Sequence, residues 1–281
     1  MIERLLDEIR GTGANVYRIT EIEGGDARTY TIHHANACNN SYSVAKAFTM
    51  TAVGILQDRG ALDVHDRIAD IFCGELPPAM EERWERVTVE HALTHRLGID
   101  RGFLDIDCED IFTYGTDDFL RIVLERPLPH EPGAAYVYSD AAFSLLSRVV
   151  SKITGERLDD FLMRELFLPL GFQEAAWSKC PRGYPMGATG LYIRTCDMAK
   201  LGVLYLQKGE YAGRRILSEA WVTQALACGY ELTRVGNGYG KGGMLGQMLY
   251  VNPAAGRVVA WHGHDHDNRV GKVLELIWQN E

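Results

Sequence analysis

The chain has 281 residues, 46% of them hydrophobic and 24% charged. This ordinary globular composition excludes a disordered tract, a collagen-like fibre or a small disulfide scaffold as a description of the whole. Lys plus Arg number 29 against 38 Asp plus Glu, a formal net charge of −9, which repels nucleic-acid backbones and anionic lipid and leaves both as unexpected partners.

From the N-terminus, Ile2, Leu5, Leu6 and Ile9 recur at helical spacing among charges. The pattern predicts an amphipathic helix; a signal peptide would need an uncharged apolar core after a basic start. No run of about 20 apolar residues exists, so no membrane span is expected. Cys38, Cys73, Cys108, Cys180, Cys196 and Cys228 are scattered without a CxxC pair. With no export signal they read as free thiols, and the expected location is the cytoplasm.

Val16–Ile22 and Arg28–His34 flank Glu23-Gly24-Gly25-Asp26 and predict a β-hairpin. Ser43 to about Arg59 reads as a helix ending at Gly60. From Ala61 to about Pro185 helices and loops dominate. Thr88 is placed to cap a short helix through His95, and Thr116 one up to Glu125, before Pro127. Leu145, Leu146, Val149, Val150 and Ile153 stripe a helix from about Asp140 to Gly155, and Leu158–Leu166 makes another. Thr195 and Ser218 are expected caps of two later helices. Gly243–Val251 and Arg257–His262 read as strands joined at Asn252–Gly256. Val270, Val273, Leu274 and Ile277 mark a last amphipathic helix. The simplest assembly is an α/β (α+β) fold in which both chain ends build one antiparallel sheet covered by terminal helices. The expected lobes of this single domain are 1–60 with 186–281, and an inserted all-helical 61–185.

Three elements carry chemistry. In Ser43-Val44-Ala45-Lys46, three-residue spacing sets Ser43 and Lys46 one turn apart at a helix start. A serine hydroxyl needs a neighbouring base to take its proton, and helix-start N–H groups suit an oxyanion. Ser43 could equally be only an N-cap. Tyr138, in Tyr136-Val137-Tyr138-Ser139-Asp140, can relay a proton or pack as a core aromatic. Lys241-Gly242-Gly243 offers a cation for an anionic group and glycines that admit a substrate backbone, or a plain glycine turn.

In this order, the elements resemble the SxxK, Tyr-x-Asn and Lys-Thr-Gly set of the serine β-lactamases and penicillin-binding proteins. The likeness is narrowest to the class C branch, which also holds D,D-peptidases, esterases and amide hydrolases. Ser41–Phe72, Val87–Gly98, Pro132–Gly171 and Gly187–Gly213 are similar to family segments, so the resemblance runs from about Val16 to Trp261. It implies a β-lactamase/transpeptidase-like fold and a small-molecule serine hydrolase that forms an acyl-enzyme on an ester, amide or β-lactam, without metal or cofactor. Ser43 resembles the nucleophile, Lys46 its base partner and Tyr138 the catalytic tyrosine. Lys241 resembles the lysine of the third motif, and the N–H groups of Ser43 and Met244 the oxyanion hole. Asp140, Gly242 and Gly243 would face substrate.

Two departures stand out. Asp140 occupies the family's asparagine position, and an ionised carboxylate accepts but cannot donate. Gly242 lacks the threonine hydroxyl. They motivate a second reading, a catalytically weak or silent ligand-binding protein on the same fold. A third is a metal-dependent hydrolase using His262-Gly263-His264-Asp265-His266-Asp267, whose imidazoles and carboxylates suit Zn or Mn; the loop also reads as a polar strand-to-helix connection.

Overall fold

The computed structural model describes residues 2–267 and 269–278. The first elements are α1 (Ile2–Thr12), β1 (Val16–Glu23), β2 (Asp26–Thr31) and β3 (Cys38–Asn40). A 3₁₀ turn, Tyr42–Val44, runs into α2 (Ala45–Asp58). The middle holds α3 (Ile68–Ile71), α4 (Val89–Leu93), α5 (Phe119–Leu124), α6 (Asp140–Thr154) and α7 (Leu158–Leu162). There follow β4 (Ala175–Trp177), β5 (Leu191–Arg194), α8 (Thr195–Leu206), β6 (Glu210–Tyr211), β7 (Arg214–Arg215) and α9 (Glu219–Cys228). The end comprises β8 (Thr233–Val235), β9 (Gly238–Gly243), β10 (Gln247–Asn252), β11 (Arg257–Gly263) and α10 (Arg269–Trp278).

The chain divides into two compact units: residues 1–44, 166–176 and 191–281, and residues 45–165 with 177–190. Against the expected boundaries at 60/61 and 185/186, α2 groups with the second unit and Leu166–Ala176 with the first.

In the first unit a six-stranded antiparallel sheet runs β2-β1-β11-β10-β9-β8. Ile19 pairs with Trp261, and Met248 pairs with Trp261 from the other side. Period-two alternation sends one set of side chains to each face. Val16, Ile19, Val259 and Trp261 pack with Leu5, Leu6 and Ile9 of α1 and Val270 and Leu274 of α10. On α8, Gly202 lets that helix seat on the sheet: a Cβ there would lie 2.5 Å from a methyl of Val258 and 3.0 Å from one of Leu249. The sheet therefore has helices on both faces, as expected of the α/β class. The side chains of Ile2, Val273 and Ile277, expected on the terminal helix faces, lie outside the described residues.

The second unit is built around α6, buried along most of its length. Ser139 caps it by accepting from the Ala141 N–H, and it ends at Gly155. Thr88 caps α4 and accepts from the His91 N–H, while His91 Nδ1 accepts from the Thr88 N–H. Three expectations change. Asp118, not Thr116, caps α5; the Thr116 hydroxyl instead accepts from the Asp118 N–H and sets that cap. Thr195 does not cap α8; Arg194 stands at that position and the Thr195 hydroxyl meets His262 Nδ1 at 3.1 Å. The expected strand from Gly243 breaks at a 3₁₀ turn, Met244–Gly246, and resumes at Gln247. No helix among the described residues is long and apolar enough to cross a membrane.

His262 is fully buried on β11, and its Nε2 has no hydrogen-bond partner among the described residues. Burial, with the nearby Arg18 charge, pushes its pKa down to about 3. An unfolded chain takes up this proton near pH 6.5, and the folded one does not. Stability is therefore complete above that pH and falls as the solution is acidified toward pH 3. The loss is of order 2 kcal/mol at pH 5, from ~1.4 kcal/mol per pH unit. Urea melts from pH 7.5 to 4.5 should show a flatter pH dependence for His262→Leu than for wild type, whatever the variant's absolute stability.

Candidate active site

In the second unit, Lys46 lies on the first turn of α2 with its side chain fully buried. Its Nζ donates to Asp140 Oδ1 at 2.6 Å and to the Ala188 carbonyl at 3.0 Å. Burying an ammonium is costly unless it is paired and hydrogen-bonded, and both conditions are met here. Asp140, expected to meet substrate, instead accepts from Lys46 and is itself 6% exposed. Lys46 Nζ also lies 4.7 Å from the centre of the Tyr138 ring, within cation–π range. The structure thus brings Lys46, Tyr138 and Asp140 together.

Tyr138 is 39% exposed, and His95 holds the backbone on either side of it. The Val137 N–H donates to the His95 carbonyl at 2.8 Å, and the Ser139 N–H donates to His95 Nδ1 at 3.2 Å. The His95 ring stands 4.5 Å from that of Tyr138. His95 itself has a positive φ of 54°.

In the first unit, Ser43 occupies the middle of the 3₁₀ turn Tyr42–Val44. Tyr42 has a left-handed φ of 46°. Its N–H donates to Asn40 Oδ1 at 2.9 Å, and the Ser41 N–H and hydroxyl both donate to the Leu191 carbonyl. Strand β9 packs against this turn. At its end, Gly243 allows the approach: a Cβ there would fall 2.6 Å from the Ser41 carbonyl oxygen. Ser43 and Met244, the two residues expected to supply oxyanion N–H groups, therefore sit on neighbouring turns of one unit. Gly242, by contrast, would seat a threonine Cβ at ordinary contact distance, 3.6 Å from the Met248 methyl.

Lys241 precedes this turn on β9. Expected to hold an anionic group of the substrate, it forms an ion pair with Glu231, a carboxylate 2% exposed. Sequence reasoning missed Glu231; a lone buried-range glutamate beside a short strand carries no signal until β8 and β9 pair. It likewise missed the crowding at Asp140. Asp105, Asp107 and Asp140 each place a carboxylate oxygen within 4.8 Å of the others. Burial raises the Asp107 carboxyl above its ordinary range, and Thr189 donates a hydrogen bond to it. These three could hold a cation, and Lys46 already supplies one positive charge there. The His262–Asp267 loop does not assemble as a ligand set among the described residues. Asp265 caps α10 by accepting from the Val270 N–H, Asp267 pairs with Arg269, and His262 turns to Thr195.

A family model described as Beta-lactamase matches residues 3–273. The chain belongs to the β-lactamase family. Curated relatives of this β-lactamase-family protein include an N-acetylmuramyl-L-alanine amidase of Bacillus subtilis (strain 168), 26% identical over 48% of this chain and 32% of that protein. Penicillin-binding protein 4 of Amycolatopsis lactamdurans is 34% identical over 48% of this chain and 35% of its own length. The matches thus span about a third of the length of these two curated relatives and 43% of several others. Among solved structures, a Bacillus anthracis protein assigned as a 6-aminohexanoate-dimer hydrolase superposes with a TM-score of 0.82 at 17% identity. That superposition covers 99% of this chain and 80% of that one, and it shows the shared fold.

The Lys46–Asp140 pair sets a stability test. Asp140→Ala leaves a buried ammonium without its counter-charge, which costs about 3–5 kcal/mol. Asp140→Asn keeps an acceptor at the same place and should cost less. Denaturant melts of the two variants against wild type should give that order.

Proposed function

We propose that this β-lactamase-family protein is a serine hydrolase that forms an acyl-enzyme at Ser43. The observation that supports it best is the juxtaposition of the Ser43 turn with the Gly243–Gly246 turn, held by the Gly243–Ser41 approach. The arrangement suits a tetrahedral oxyanion bound by the N–H groups of Ser43 and Met244, donors fixed before the charge develops. Ser43 Oγ attacks the carbonyl carbon of an ester or amide. Lys46, one helical turn further along the chain, receives the serine proton. It can do so because a proton can pass from Nζ to Asp140 Oδ1 across their 2.6 Å hydrogen bond, leaving Nζ a lone pair. Tyr138, beside Lys46, gives its proton to the leaving oxygen or nitrogen and takes the serine proton back from Lys46, which leaves both groups as they began. Water then attacks the acyl-enzyme and gives one proton to Lys46; Tyr138 protonates the departing Ser43 Oγ and is reprotonated by Lys46.

The substrate in this reading carries no carboxylate where Lys241 stands. Glu231 already neutralises that lysine, and Gly242 brings no hydroxyl to help hold an anion. An uncharged ester or amide fits better than an anionic β-lactam or a peptide C-terminus. The free thiols of all six cysteines support a reducing compartment.

A fluorophosphonate probe should label wild type and not Ser43→Ala. Equal labelling of both, or none of either, would sink the reading; no labelling with saturable ligand binding would favour a silent binder. Glu231→Gln tests substrate charge. Relative to wild type, the variant should gain kcat/KM on an ester bearing a carboxylate by about tenfold over its uncharged analogue, because a charge-assisted hydrogen bond becomes available to substrate.

A further inference from the structure

We infer that Gln247 is a positioning residue, which shapes the Gly243–Gly246 turn so that the Met244 N–H meets the oxyanion. This rests on the hydrolase reading above and deepens it. Gln247 opens β10 and is 2% exposed. Its Nε2 donates to the carbonyls of Met244 at 3.1 Å, Leu245 at 3.3 Å and Gly263 at 2.8 Å, and its Oε1 accepts from the Gly263 N–H at 3.0 Å. An amide has two N–H hydrogens, so one is shared by the adjacent Met244 and Leu245 carbonyls. Turning the amide over would set Oε1 against three carbonyl oxygens, so the network itself fixes the orientation.

What this clamp holds is a costly conformation. Leu245 has φ 60° and ψ 27°, a left-handed geometry in a residue with a branched side chain. Such a residue persists only where its surroundings over-determine it. Three groups do so. Besides Gln247, the Asp265 N–H donates to the Leu245 carbonyl at 2.9 Å, and Trp261 Nε1 donates to the Gly246 carbonyl at 2.7 Å. Gln247 also packs against Gly243, which faces the nucleophile turn. A Cβ on Gly243 would lie 3.0 Å from Gln247 Cβ and 2.6 Å from the Ser41 oxygen. Gly243 is thus held between the Gln247 side chain and the residue two before Ser43. Removing the amide frees the Met244 carbonyl and leaves the Leu245 carbonyl to the Asp265 N–H alone, so the torsions on the C-terminal side of Met244 widen and its N–H is aimed less narrowly.

The test is Q247M and Q247E, read by the kinact and KI of fluorophosphonate labelling at Ser43 and by thermal melting. The control is V251A, on the same strand but packed toward Gly202. Both Gln247 variants should lose about 10–100-fold in kinact with KI within about threefold, the signature of a lost transition-state donor. V251A, at a comparable loss of Tm, should keep the wild-type kinact. Q247E retains the side-chain shape and the acceptor for Gly263, so it carries the test should Q247M not fold. A kinact within threefold of wild type, or an equal fall in V251A, overturns the role of Gln247 while leaving Ser43 the nucleophile. A wild type that does not label at Ser43 overturns the hydrolase reading and this inference with it.

Discussion

The pairing of β1 with β11 is the constraint from which the rest follows. It joins Val16–Glu23 to Arg257–Gly263, the two ends of the chain, and so makes everything between them an excursion that must return. The sheet cannot close its apolar faces until the last strands exist, because Ile19 and Trp261 share one cluster with both terminal helices. Pairing between distant segments pays its loop-closure entropy before the burial that rewards it. The second unit has the opposite character, short helices with local caps around α6. This division places Ser43 at a seam of the chain: its turn belongs to the sheet unit, while α2 and Lys46 belong to the helical one.

Electrostatics sharpen the contrast. The protein is acidic overall, and its two motif lysines each take a carboxylate partner. Asp140 holds Lys46 and Glu231 holds Lys241. Such pairs add little net stability, since desolvation offsets most of the attraction. What they do is hold a charge at a defined place. Seen so, the aspartate at position 140 and the glycine at 242 are related changes. The first places negative charge beside one lysine; the second leaves no side-chain hydroxyl beside the other, whose charge Glu231 already answers. Under the proposed function, both would disfavour an anionic substrate.

Local signals were legible in the sequence where chemistry is local. Thr88 and Ser218 each find an orphan helix N–H close by and cap it. Thr116 and Thr195 look the same in sequence. Thr116 sits two residues before a stronger competitor, Asp118, and Thr195 finds His262 across the core. The helix start at Ser43, the helix from Asp140 and the expected α/β architecture also survive, because they rest on periodicity and on a resemblance spanning most of the chain. Glu231 and Gln247 were invisible for one reason: each acts on a partner brought to it by strand pairing, and neither lies in a motif. The broken strand at Gly243 belongs with them, since only tertiary hydrogen bonds make a reversal at Met244-Leu245 preferable to continued ladder.

Two non-glycine residues in left-handed geometry now gain a common explanation. Tyr42 stands one residue before Ser43, and Leu245 one residue after Met244. Each conformation costs about 1–3 kcal/mol. Glycine would remove that cost, and among the described residues it fills most other positive-φ positions, with His95, Leu104, Lys208 and Ala212 as further exceptions. It would also widen the range of backbone angles at the two places where, in the proposed function, an N–H must point one way. Side chains at 42 and 245 narrow that range, and the bonds from Asn40, Ser41, Gln247, Asp265 and Trp261 select one conformer within it. A turn needed only to reverse the chain has no use for such bracing. A turn that must present a donor to a short-lived charge does, since donors aligned in advance need no reorganisation when the charge forms.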